Sequence, residues 1–115
     1  MKKGLLVLVI GLLVVSSAAA STPYFESGHK LVEGWRSFAT SGNLVLSSKF
    51  MGYVLGVYDA TSWREKLSFT TPDNMIASQL YNVVGKYLDA HPEQWAEPAA
   101  KLIIDALIAA FPVKK

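Results

Sequence analysis

Cysteine is missing from all 115 residues, and histidine occurs only twice. The first absence excludes disulfides, Cys-ligated zinc, iron–sulfur clusters and thiol nucleophiles. The second leaves only His29 and His91, far apart in the chain, and no HExxH, GxSxG, GxxxxGK[ST] or GxGxxG run occurs. A hydrolase needs a nucleophile beside a base, or a metal with ligands at workable spacing. Neither is supplied here. His29 lies beside an apolar helical stripe and His91 precedes a proline, so both read as structural. Acid pairs are sparse. Glu97 and Lys101, four apart, read as a solvated ion pair, with Glu93 nearby. Asp105 sits in Ile103-Ile104-Asp105-Ala106-Leu107 and is placed on the outer face of a helix, and Asp59 is expected to cap or bond locally at a helix end. The reading is no enzyme, no cofactor and no metal.

A basic excess is lacking too, once the first residues are set aside. Met1-Lys2-Lys3 is a basic start, Leu5 to Val15 an apolar run broken only by Gly11, and Ala18-Ala19-Ala20 a small-residue cleavage site. That is the layout of a secretory signal peptide, which predicts cleavage near Ala20 and export. The run falls short of the roughly 20 apolar residues a membrane span needs, so no stable anchor is expected. Taking 20 residues from 115 leaves 95, enough for one domain, residues 21–115. Taking Lys2 and Lys3 from the 11 Lys+Arg leaves 9, equal to the 9 Asp+Glu. With no net charge, a nucleic-acid partner is excluded. An exported domain without disulfides must hold together through its core.

What is present is helical periodicity. Phe25, Gly28, Leu31, Val32, Trp35, Phe38 and Ala39 share one helical face, with Glu26, Lys30, Glu33 and Arg36 off it, and Thr40-Ser41-Gly42-Asn43 breaks the pattern. Leu46, Phe50, Val54, Val57 and Tyr58 mark a second helix, on which Gly52 and Gly56 are expected to let a neighbouring helix approach closely. Thr71-Pro72-Asp73 supplies a hydroxyl, a first-turn proline and an acid, and so predicts the start of a third helix. Its face is Ile76, Leu80, Val83, Val84, Tyr87 and Leu88, ended by His91-Pro92. A fourth starts near Glu97-Pro98 and runs through Ala99, Leu102, Ile103, Ala106, Leu107, Ala110 and Phe111 before Pro112 stops it. The expected fold is all-α, a single-domain bundle of about four helices.

Between the second and third helices, Asp59 to Phe69 is polar and charged and reads as the long connection, a place where function concentrates. Three tryptophans occur. Trp35 is on a core stripe, Trp95 reads as a lid folded over the bundle end, and Trp63 reads equally as a lid or as an interface anchor. The candidate partner-binding residues are Trp63, with Arg64, Glu65 and Lys66 as its polar rim.

The run Gly52-Tyr53-Val54-Leu55-Gly56-Val57-Tyr58-Asp59-Ala60 is followed by a proline-led helix with Gln79-Leu80 and Val83-Val84. Then come Tyr87-Leu88, His91-Pro92-Glu93, Pro98-Ala99-Ala100, Ala106-Leu107 and Phe111-Pro112. In order and spacing this resembles the Rap/Tai family of periplasmic immunity proteins, which protect bacteria against amidase toxins delivered by type VI secretion. The resemblance implies a small exported helical protein, non-enzymatic and often a homodimer, that binds a peptidoglycan-cleaving amidase and blocks its active site. It assigns no binding residue. Relatives commonly carry cysteines where this chain has Phe50-Met51, Phe69-Thr70-Thr71 and Val113. The residues also admit another class, a general periplasmic chaperone or stress protein that offers apolar surface to clients.

Overall fold

The computed structural model describes residues 24–63 and 69–113. Within them lie four α-helices, α1 (Gly28–Thr40), α2 (Leu44–Ser62), α3 (Ala77–Ala90) and α4 (Ala99–Ala110), with a 3-10 turn at Pro92–Gln94 before the last. The expected all-α bundle is the observed fold. Two isolated antiparallel bridges, Ser27 with Pro98 and Phe69 with Pro112, are the only extended pairings among the described residues.

Local chemistry sets most of the ends. Ser27 caps α1, its hydroxyl accepting from the Lys30 amide at 3.3 Å. The helix closes with Ser41 in the left-handed region (φ 53°), where the Ser41 amide donates to Phe38 O and the Gly42 amide to Ser37 O. Asn43 then caps α2 through Oδ1 on the Leu46 amide at 3.0 Å. At the other end of the chain, Pro92 lacks the amide that would extend α3.

Two boundaries differ from expectation. The helix predicted to begin at Thr71-Pro72-Asp73 begins at Ala77. The Met75 amide returns to Pro72 O at 3.1 Å and closes a turn, so proline and acid serve that turn. The start at Ala77 is instead marked by the Gln79 side chain, whose Oε1 accepts from the Ile76 amide at 3.1 Å. Similarly, Asp59 does not end α2, which runs on to Ser62. The Thr61 hydroxyl bonds back to Val57 O at 2.8 Å, and a threonine satisfied this way sits in a helix without competing for it. The polar connection therefore starts at Trp63.

The core joins all four helices. Leu31, Val32 and Trp35 from α1, Phe50 and Val54 from α2, Leu80, Tyr81, Val84 and Leu88 from α3, and Leu102, Ile103, Ala106 and Leu107 from α4 are buried, with Phe69 from the connection. The stripes on α1 and α4 match expectation in phase, except at their ends. Phe25 precedes α1 and is fully exposed, and Ala39 and Ala110 face solvent. On α3 the buried stripe takes in Tyr81 and Gly85, while Ile76 is exposed as the N-cap. Phe50 packs among rings, with centroids 5.8 Å from Trp35, 5.8 Å from Phe38 and 6.1 Å from Tyr81. Trp35 reaches across to donate from Nε1 to Asp89 Oδ2 at 3.1 Å.

The glycines reverse one expectation. Gly52 and Gly56 touch nothing: a Cβ at either would meet no atom within 4 Å, because they lie on the face of α2 turned away from the core. α2 is apolar on nearly every side, so its sequence did not reveal which face is inward. The close approach is at Gly85, where a Cβ would fall on the indole ring of Trp35. The two sites predict opposite results. Gly56→Ala should stabilise by roughly 0.8–1 kcal/mol through helix propensity alone. Gly85→Ala gains the same propensity but overpacks the indole, which costs about 1–3 kcal/mol, and so should be destabilising on balance. Urea unfolding of both variants checks this, and two shifts of the same sign would contradict it.

Candidate functional site

No described group of three or more His, Cys, Asp or Glu residues is placed to hold a metal ion. Both histidines pack on aromatic side chains of the scaffold. His91 stacks on Tyr87 at 4.0 Å, with Nδ1 2.8 Å from Tyr87 O, which ties it to the end of α3. His29 meets Trp95 edge to face at 6.2 Å. Lys101 binds Glu97 at 3.1 Å and Asp105 at 2.7 Å on an exposed face of α4, which is the ion pair and outer-face placement the spacing predicted.

Trp95 is a lid. It is half-buried against the core, its Nε1 donates to Leu88 O at 2.8 Å, and Arg36 lies 5.2 Å over its ring. Leu88 O in the last turn of α3 thus accepts from both the His91 amide, at 3.2 Å, and the indole, which pins the ring to the helix end, and the Arg36 guanidinium lies over the indole as a cation on an aromatic face.

Trp63 is the opposite. It follows the last residue of α2 and remains 77% exposed, so the lid reading does not describe it. A large aromatic left in water at the mouth of a connection is the kind of residue that anchors protein interfaces. Its expected polar rim, Arg64, Glu65 and Lys66, lies outside the described residues.

The sequence reading put Phe25 on a core stripe and singled out neither Leu44 nor Val45, yet all three are exposed. Phe25 precedes α1, and Leu44 and Val45, 77% and 76% exposed, open α2. The available signal was the composition of α2: a helix without a polar face, packed along one side only, must leave apolar side chains in water. The structure also buries a charge that periodicity placed outside. Glu26, just before the Ser27 cap, is 7% exposed and binds Lys49 of α2 at 3.2 Å. The pair lines a crevice of about 160 Å³ between α1 and α2, with Lys30, Glu33, Gly34 and Phe50. Nearby, Tyr53 has its phenol held above the ordinary value, first by burial and then by the charge on Glu26.

A second concavity lies where the connection meets the chain end. Thr70, Thr71, Pro72, Phe111 and Pro112 line a groove of about 460 Å³. The Thr70 amide donates to Phe111 O at 2.9 Å beneath it. It carries no titratable side chain.

The arrangement thus offers apolar surface around α2 and no nucleophile beside a base among the described residues. No described helix is long and apolar enough to cross a membrane. A family model for Rap1a immunity proteins matches residues 27–113, from the α1 cap to the residue after Pro112. No curated protein matches the sequence.

Proposed function

The chain belongs to the Rap1a immunity protein family, and from that premise we propose a specific task for it. It is exported to the periplasm with its signal peptide cleaved near Ala20, and it works there as a homodimer. It binds a peptidoglycan amidase toxin delivered by type VI secretion and covers the enzyme's active site. It acts by occupancy and does no chemistry of its own. The observation that carries this reading is Trp63, 77% exposed just past the end of the long helix α2. An inhibitor without net charge gains little from long-range steering, so its affinity rests on a few desolvated anchors.

A general chaperone is the second reading, favoured by the exposure of Phe25, Leu44 and Val45. Stoichiometry separates the two. Protein recovered from a periplasmic extract should begin near Ser21 and abolish peptidoglycan hydrolysis by the amidase encoded beside it, with a sharp endpoint at one chain per enzyme. Full hydrolysis at a tenfold excess of the protein would sink the immunity reading. Loss of activity without an endpoint, together with suppression of unrelated aggregation, would favour the chaperone.

A further inference from the structure

Pro72 and Phe111 line two concavities at once. On one side is the groove of about 460 Å³ where the connection meets the chain end, with Thr70, Thr71 and Pro112. On the other is a hollow of about 370 Å³, walled by Gln79, Asn82, Val83 and Lys86 of α3. These four recur at helical spacing and form one row along the helix, beside the buried face of Leu80, Val84 and Leu88. Joined at Pro72 and Phe111, the two concavities make a single trough. It starts near Trp63, because the Thr71 hydroxyl is 2.8 Å from Tyr58 Oη and Trp63 follows Tyr58 by five residues, about 7.5 Å along the helix axis. It ends at Lys86, the only titratable side chain among the described residues that line either part.

We propose that this trough holds an extended segment of the toxin, apolar in its middle and bearing a carboxylate at the end that meets Lys86. The charge sets one half of that chemistry. Lys86 forms no ion pair among the described residues, and Asp89, one turn further along α3, already accepts from the Trp35 indole at 3.1 Å. Its ammonium is therefore open to an anion from another molecule. The primary amides set the other half, since each carries donors and an acceptor, as an extended backbone does. Asn82 gives one amide hydrogen to Ser78 O at 2.9 Å and keeps its carbonyl oxygen. Gln79 takes the Ile76 amide on Oε1 at 3.1 Å and keeps its two donors. A helical segment has its own amides occupied and cannot use either. Val83 and Phe111, both half-buried, supply apolar surface for the middle of the segment. A cation at one end only gives the segment a direction. This deepens the immunity reading, on which it rests, by stating the chemistry of the toxin segment that is captured beside Trp63.

Calorimetric titration of the amidase encoded beside this chain with the wild type, Lys86→Glu and Asn82→Trp tests it. Both positions are exposed, so the melting midpoints should stay within about 3 °C of the wild type. Lys86→Glu should raise the dissociation constant by roughly tenfold or more at low salt, and by less at high salt. Asn82→Trp fills the trough and should weaken binding to a similar degree at either salt concentration. Lys86→Gln keeps most of the stem and removes only the charge. It should weaken binding less than Lys86→Glu, so the reading does not depend on the more disruptive changes folding. Unchanged affinity in all three variants overturns the trough and leaves the immunity reading standing. A wild type that does not bind the amidase overturns both.

Discussion

Leu107→Ala should lower stability by roughly 2–5 kcal/mol. Leu107 is fully buried on α4, in a cluster fed by every helix of the bundle. Truncation leaves a void that a side chain from one helix cannot refill without moving another. The fold has no disulfide, and a domain of this size has only about 5–15 kcal/mol in total. At roughly 4–8 °C per kcal/mol for a small domain, the melting midpoint should fall by about 10 °C or more. Leu80 of α3, 2% exposed, should behave alike. Thermal melts followed by circular dichroism provide the check. A Leu107→Ala midpoint within about 2 °C of the wild type would mean that the packing described around α4 is wrong.

The second large effect falls on binding. Trp63→Ala should weaken capture of the toxin by at least about 2 kcal/mol, close to thirtyfold in dissociation constant. Stability should move by no more than about 0.5 kcal/mol, as for other exposed positions. Trp95 is the control. It covers the core, donates to Leu88 O and lies under Arg36, so Trp95→Ala should destabilise the fold by a few kcal/mol, toward the value for a buried tryptophan. Calorimetric titration of an amidase with each variant, held where both are folded, separates the roles. Unchanged affinity in Trp63→Ala would remove this residue from the binding surface.

The contrast between the tryptophans bears on what the sequence could reveal. Residue type marked both as candidates, but the difference between them lies in long-range geometry. The Trp95 indole reaches back to the last turn of α3, and no local pattern around Trp63 says whether it does the same. The four helices were legible because α1 and α4 each have one apolar stripe and polar residues elsewhere, a pattern only one packing satisfies. α2 has no such contrast, so its existence was readable and its phase was not. For that reason Gly52 and Gly56 were expected inside the bundle and are found outside. The start of α3 was misplaced because Thr71-Pro72-Asp73 fits a turn as well as a cap, and the decisive contact is the Met75 amide on Pro72 O. Glu26 illustrates the remaining limit. Its burial depends on Lys49, a partner from another helix that no local pattern specifies.

Both closures of the bundle are made between distant parts of the chain. Before α1 begins, Tyr24 donates to Ala96 O, 72 positions later, and the Gly28 and Ala99 amides bond to Glu97 O and Glu26 O on either side of the Ser27–Pro98 bridge. The second closure, Phe69 with Pro112, involves nearly the last described residues. Helices form early and locally, whereas contacts of long sequence separation wait for the loop between them to close. A nascent chain can therefore form α1 and α2, and pack Phe50 on Trp35 and Phe38, as they emerge, but the two bridges that close the bundle wait until the end of the chain has been made. Under the export proposed above, that order keeps the chain open until α4 has been made, and the final lock is left to the far side of the membrane.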